Sequence, residues 1–203
     1  MDYQVKKICS REGKNFIKKH HYSKGSHNGP TCWGMFDGET LIGVIAFATP
    51  CSENVRASLF GVEYKNAVTE LHRLVILDVT PRNAESWFIT RALKELKLLR
   101  PHLKAVISFA DASQGHVGTI YQATNAIYTG TSGKATFYID ADGRLRHPRQ
   151  NGVNINRTDA QARGWKPVKR DGKHRYIFLL GSKSDKRWSA EHLLLNGMAY
   201  PKP

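Results

Sequence analysis

Ala105-Val106-Ile107-Ser108-Phe109-Ala110-Asp111, running on into Ala112-Ser113-Gln114-Gly115-His116-Val117-Gly118-Thr119-Ile120-Tyr121-Gln122-Ala123-Thr124-Asn125, is the stretch that decides the fold class. Its first six residues form a short apolar run, the pattern of a strand buried on both faces. Downstream, Val117, Ile120, Tyr121, Thr124 and Ile127 recur at helical spacing, which predicts a helix over about residues 114–127 with Ser113 as its cap. An acid at the carboxyl end of a buried strand stands where open α/β sheets bind ligands. The helix start that follows offers free N–H groups and the positive end of a dipole. Gly115 and Gly118 permit close approach of a ligand or another backbone. Asp111, Ser113, Gln114, His116, Tyr121 and Asn125 are therefore candidate site residues. The competing reading makes Asp111 a helix cap and nothing more.

Upstream, Ala84–Leu99 is the clearest helix, with Phe88, Ala92, Leu93, Leu96 and Leu99 on one face, Asn83 as cap and Pro101 as stop. Val68–Val79 alternates as a long strand holding Glu70-Leu71-His72-Arg73 at its centre. Period two puts Glu70 and His72 on one face and Arg73 with Leu71 on the other. Polar groups in mid-strand are costly unless paired, which makes Glu70, His72 and Arg73 site candidates, against the plainer reading of an exposed ion pair. Thr31–Phe36 and Thr40–Ala48 read as a hairpin on a type I′ turn at Asp37-Gly38. Residues 50–64 are less regular. Gly13–Tyr22 reads as a helix ending in His20-His21-Tyr22-Ser23, where the histidines either serve a site or satisfy the helix terminus. Ser23 to Pro30 is loop. Late strands are expected at Ala135–Ile139 and Arg175–Leu180, loops at 130–133 and 147–164, and a short segment at 190–195. Strands interleaved with helices give a mixed α/β sheet flanked by helices.

The 203 residues suffice for one domain with a core of its own, ending in a basic extension over about 145–203. No apolar run is long enough to span a membrane, and the first residues lack the pattern of a signal peptide. Cys9, Cys32 and Cys51 are an odd number without metal-ligand spacing, which speaks against a disulfide framework or structural zinc and suits a reducing cytoplasm. Thirty-one Lys and Arg against seventeen Asp and Glu give a net charge of +14, which draws polyanions, nucleic acid first. Lys24, Arg82, Arg149, Arg157, Lys169 and Arg170 are the candidate phosphate contacts, with Trp165, Tyr176 and Trp188 interleaved. Each of these cations also fits an ordinary solvated surface.

Thr80-Pro81-Arg82-Asn83-Ala84-Glu85-Ser86-Trp87-Phe88-Ile89 and the long motif Ser108 to Gly130, with His20-His21-Tyr22-Ser23 and Glu70-Leu71-His72-Arg73-Leu74 in the same order upstream, resemble the Mom family of phage DNA-modification proteins. The resemblance covers about residues 10–140. It implies a fold similar to the GNAT N-acyltransferases, and an enzyme that converts the exocyclic amine of adenine in DNA to a carbamoylmethyl derivative that blocks restriction. It also implies a phage-encoded protein acting in the cytoplasm of its host, and an iron requirement. Where an ordinary acetyltransferase carries a glycine-rich loop for the coenzyme A pyrophosphate, this chain reads Arg82-Asn83-Ala84-Glu85-Ser86. The glycines are gone and Glu85 is negative, which argues against coenzyme A.

On that reading Asp111 orients the amine or accepts its proton, with Tyr22, His21 and Ser113 as the other catalytic candidates. Glu70, His72, Arg73, Gln114, His116, Tyr121 and Asn125 line the substrate. His21, with His72, His116 or Glu70, would supply the His and carboxylate set that non-haem iron prefers, His21 and His116 being the ligands named first. The expected partners are double-stranded DNA, a small-molecule or carrier-bound group donor and, as a possible assembly, a second copy of the chain in a homodimer. An acyl- or aminoacyltransferase acting on another nucleophile, and a DNA-binding protein on an inactive transferase fold, are the rival classes.

Overall fold

A computed structural model describes residues 3–23, 25–50, 52–150 and 153–202. The side chain of Arg149, like all of Lys24, lies outside what is described. The chain opens with strand β1 (Gln4–Ile8), helix α1 (Ser10–His20), strands β2 (Thr31–Asp37) and β3 (Thr40–Ala48) and helix α2 (Glu53–Phe60). The middle of the chain carries β4 (Val68–Ile76), α3 (Ala84–Leu99), β5 (Ala105–Ala110), α4 (Thr119–Gln122), β6 (Ile127–Thr131) and β7 (Ala135–Ile139). Then come the short strands β8 (Leu145–Arg146), β9 (Arg149–Gln150) and β10 (Val153–Asn154), helix α5 (Arg157–Ala162), strands β11 (Lys166–Arg170) and β12 (His174–Leu179), and helix α6 (Lys183–Glu191).

The expected mixed sheet is present, seven strands in the order β1-β2-β3-β4-β5-β12-β6, and every described pairing in it is antiparallel except β4 with β5. One face packs on α3 through Ile45, Phe47, Leu71, Phe88, Ala92, Leu96 and Val106. The other packs on α1 through Ile17, Val44 and Ala46, and on α2 through Leu59, Phe60, Val68 and Ile107. A small sheet, β11-β7-β8, stands apart around Tyr138, Ile155 and Ala160.

The β4–β5 pair positions the site. The two strands are joined only from Val68↔Ala105 to Leu71↔Ser108; beyond it β4 runs to Ile76 and β5 to Ala110 without pairing each other. A wedge opens there at the carboxyl ends of two parallel strands. On its other side β4 carries a bulge. Ala46 pairs with Arg73 and Phe47 with Leu71, which leaves His72 as the extra residue. A bulge breaks the alternation of faces. Arg73 therefore faces the side of Ala46 with Glu70, and does not share a face with Leu71 as strict period two requires.

Several local readings are corrected. Helix α1 ends at His20, with His21 as an extended C-cap, so Tyr22 lies beyond the helix. The β2–β3 loop is Gly38-Glu39, and only Gly38 has positive φ, at 57°, which excludes type I′. Helix α2 occupies the stretch read as irregular, because Leu59 and Phe60 cover the sheet. Asn83 sits at φ 70° with no side-chain cap bond. The helix expected over 114–127 shrinks to four residues, because Gly115 (φ 72°), Gly118 (φ 77°) and Asn125 (φ 56°) take left-handed conformations that interrupt an α-helix. Ser113 does not cap it; Asp111 caps the short 3-10 turn Ala112–Gln114 instead. Residues from 127 become strand β6, and α5 forms inside the expected 147–164 loop on the capping box of Asn156 and Asp159.

Candidate functional site

The wedge gathers side chains from five segments. From the end of α1 come His21 and Tyr22, whose rings stack at 4.4 Å, and Tyr22 in turn lies 6.0 Å from the ring of His116. Tyr22 is 58% exposed, so an aromatic face stands open at the mouth. The loop after it sends His27 against His72, ring to ring at 4.0 Å. From the bulged strand come Glu70, His72 and Arg73. Arg73 ties β4 to that loop: Nε donates to the Gly25 carbonyl at 2.8 Å and Nη1 to the His72 carbonyl at 2.6 Å. From the end of β5 comes Asp111, and from the β11–β12 turn come Arg170 and Lys173, 3.8 Å and 3.7 Å from its two oxygens.

Burial and neighbouring charges set the protonation of five of these groups. Burial works against the charge on Asp111, but the Ser113 hydroxyl (2.6 Å) and amide (3.1 Å), with Lys173 and Arg170, outweigh it and hold the carboxyl below its usual range. Burial, aided by the charge of Arg73 and by His72 and His116, drives His21 down to about 4. Its Nδ1 accepts from the Ser23 amide at 3.1 Å, so the neutral ring carries its proton on Nε2. Burial lowers His72 as well, with Arg73 and His27 adding and Glu70 opposing. Tyr22 is pushed up by burial and by Asp111, and so keeps its phenolic proton. Burial lowers Arg73, though a guanidinium stays charged. At neutral pH Asp111 is thus an ionised carboxylate beside the neutral donors His21, His72 and Tyr22 and the cation Arg73.

That arrangement suits a reaction in which one acceptor holds an amine while donors bind a carbonyl-bearing group. Asp111 Oδ1 is engaged by Ser113, and Oδ2 has no hydrogen bond among the described residues. A carboxylate held this low is a weak base, so its physical talent is to orient an N–H.

Of the residues expected at the site, His21, Tyr22, Glu70, His72, Arg73, Asp111, Ser113 and His116 do come together. Arg170 does too, against Asp111 as well as over the Phe137 ring. Tyr121 is buried below the wedge in the α3-side core, with its proton held by burial. Gln114 is exposed on the 3-10 turn, and Asn125 lines a different cavity, between α3 and β12. Arg82 is exposed at the start of α3. Arg157 lies exposed at the start of α5 and Lys169 exposed on the small sheet, where Lys169 Nζ donates to Thr136 Oγ1 at 2.8 Å. Sequence reasoning did not place Lys173 or His27 at the site. Lys173 stood in a run of like charges, and His27 in a glycine-broken loop; neither spacing carries any signal of a partner so far along the chain.

The iron set is less well assembled. Among the described residues no three His, Cys, Asp or Glu side chains are grouped to hold a metal ion. His21 and His116 flank the Tyr22 ring, and the lone pair of His21 Nδ1 is already occupied by the Ser23 amide. These residues as arranged do not fit a metal.

The model of the Mom protein family matches residues 2–202. The chain is 30% identical over 211 residues to methylcarbamoylase Mom of Escherichia phage Mu, covering 99% of this chain and 84% of that protein. Among solved structures it is similar to the spermidine/spermine N-acetyltransferase SpeG from Vibrio cholerae with manganese ions (11% identity, TM-score 0.49, 93% and 96% of the two chains). It is also similar to an N-acetyltransferase from Staphylococcus aureus Mu50 (12% identity, TM-score 0.48, 89% and 100%).

Proposed function

This chain belongs to the Mom protein family, and we propose that its wedge transfers a carbamoylmethyl group to the exocyclic amine of adenine in double-stranded DNA. Membership makes it a DNA-modifying enzyme of the transferase type; the residue roles that follow are our reading of the geometry. One observation carries it: an ionised Asp111, shielded by Arg170 and Lys173 yet with one oxygen unbonded among the described residues, faces a set of neutral donors in an open crevice.

Adenine's amine is a weak nucleophile, and in a duplex it is paired and stacked. The base leaves the helix at a cost of about a few kcal/mol, which stacking in the site offsets. The exposed Tyr22 ring, backed by His21 and facing His116, supplies the stacking surface. Asp111 accepts an N6 hydrogen and turns the nitrogen lone pair toward the incoming carbon. In the transfer the new N–C bond forms, the donor's leaving group departs with its electron pair, and the N6 hydrogen held by Asp111 is lost as a proton that passes to that leaving group. Arg157 at the start of α5, Lys169 on the small sheet and Arg170 beside Asp111 hold phosphates of the flanking DNA. This work is done in the cytoplasm of the host cell, where the DNA lies; among the described residues no helix is long and apolar enough to cross a membrane. Nucleoside mass spectrometry of DNA from cells expressing the chain tests the proposal: carbamoylmethyl-deoxyadenosine is the expected product, and unmodified adenine throughout would sink it.

The donor is a small molecule or a carrier-bound group other than coenzyme A. The cleft of about 390 Å³ at the start of α3 is lined by Asp78 and Glu85 together with Arg82, and the left-handed residue there is Asn83 rather than a glycine. Two carboxylates repel a pyrophosphate. Calorimetry with acetyl-coenzyme A is expected to show weak or no binding; a stoichiometric low-micromolar complex would raise the acyltransferase reading in its place.

A further inference from the structure

His72 is the residue that the β4 bulge inserts, at the point where β4 and β5 stop pairing. Its ring is pinned on one side only. Arg73 Nη1 lies 3.4 Å from Nδ1, and a guanidinium can only donate, so Nδ1 accepts. Glu70 Oε1, at 3.8 Å, is beyond hydrogen-bond reach of the same nitrogen. The neutral ring therefore carries its hydrogen on Nε2. That nitrogen is buried and has no hydrogen-bond partner among the described residues. A buried donor without an acceptor costs the fold, and native proteins keep few of them. Ser26, between the Gly25 that binds Arg73 and the His27 that lies on His72, carries a second buried polar atom, its Oγ, with no partner among the described residues. Two unsatisfied polar atoms on adjoining segments of one site point to a ligand group that satisfies them.

We infer that His72 Nε2–H is the donor that binds the carbonyl oxygen of the carbamoylmethyl group, in a subsite behind the adenine pocket.

Depth selects the carbonyl over the base. The His72 side chain is only 11% exposed, too deep for a flat purine that stacks on the open Tyr22 ring. The small group joined to the amine reaches further in than the ring that bears it. Because its lone pair is at Nδ1, His72 is not placed to take a proton from that amine. The bulge is what aims it: one extra residue turns a strand side chain out of the pleat, as bulges beside active sites do.

The inference rests on the carbamoylmethyl reading, so its test separates the two. Single-stranded oligonucleotides bearing one N6-carbamoylmethyl-deoxyadenosine, one N6-methyl-deoxyadenosine or plain deoxyadenosine are titrated against the wild-type chain, His72→Leu and His72→Gln. The wild type is expected to prefer the carbamoylmethyl oligonucleotide. His72→Leu should lose roughly tenfold of that preference with binding of the other two unchanged, while His72→Gln, whose amide N–H reaches a similar position, retains most of it. An equal loss for all three oligonucleotides would mean that His72 reads the base, and an unchanged preference in His72→Leu would mean it reads nothing; either overturns the inference. Should His72→Leu not fold, nitrogen-15 NMR of the wild-type histidines still decides the matter, since a hydrogen found on Nδ1 of His72 overturns it as well. Failure of the carbamoylmethyl reading shows elsewhere, as wild-type DNA without the modified nucleoside.

Discussion

Two hollows in this molecule are unlike each other. One, about 830 Å³, lies between α3 and β12 and is floored by Leu93, Ile127, Ile177 and Leu180. Asp185 on its rim is held below the usual carboxylate range by the Ser182 hydroxyl and amide, which it caps at the start of α6. The second hollow is the shallow wedge between the tips of β4 and β5, whose polar groups come from distant segments and stand in fixed protonation states. Their difference is instructive. The cavity is walled by α3, β12 and the residues just after the short α4. The wedge needs no enclosing walls of its own if its substrate is a base on DNA that brings phosphates and neighbouring bases with it. Chemistry here is marked by convergence of charge and hydrogen bonding, and volume is a poor guide to it.

The sharpest break of that contrast is Asp111→Asn. Asn keeps an acceptor for the Ser113 amide, so melting should change little, while modification falls roughly 10²-fold or more because the negative charge that orients the amine is lost. Full modification by a well-folded Asp111→Asn protein would move the role to Tyr22 or His21.

Next in size is the anchoring of the wedge to the core. Gly118 has φ 77° and a Cβ there would meet the Tyr176 ring at 2.4 Å, whereas Gly115, at φ 72°, has open space around it. Gly115→Ala should cost about 1 kcal/mol for the left-handed conformation alone, and Gly118→Ala at least about 2 kcal/mol once the clash is added. Denaturant midpoints compare them, and equal losses would show that the ring gives way freely.

A smaller effect concerns His21. Its folded pKa, about 4, lies below the ordinary 6.5. The unfolded chain therefore binds a proton that the fold refuses, and stability falls as pH drops from 6.5 toward 4. Asp111 works in the same direction further down, its contribution being complete above the ordinary carboxylate value of 3.8 and lost as pH falls through its lower folded value. NMR titration should find the His21 ring neutral at pH 5.5; a midpoint near 6.5 would mean that the ring is solvated and the donor set incomplete.

The smallest expected effect is at the large cavity. Leu98, 74% exposed on its rim, replaced by Glu should leave modification intact and stability within about 0.5 kcal/mol. Loss of modification with normal folding would show that the cavity takes part in function after all.

By itself the sequence determined that this is a mixed α/β chain with a buried strand ending in Asp111, a long helix over 84–99, a hairpin over 31–48 and an excess of positive charge. Those features rest on local periodicity and composition, which neighbouring residues supply. It also singled out most of the polar residues of the site, since a carboxylate or histidine in a strand that should be buried is conspicuous wherever the chain later goes. The tertiary structure decided the rest. Strand β1 is a charged edge strand, and helix α2 is only eight residues long; each forms because a partner is waiting for it. Left-handed backbone at Gly115, Gly118 and Asn125 overrode a helical pattern that runs through them. The bulge at His72 reversed the face of Arg73, and the β11–β12 turn brought Lys173 to Asp111 from sixty-odd residues away. Strand pairing and long-range charge contacts depend on which segments meet, and a local pattern carries no record of a meeting that only the folded chain arranges.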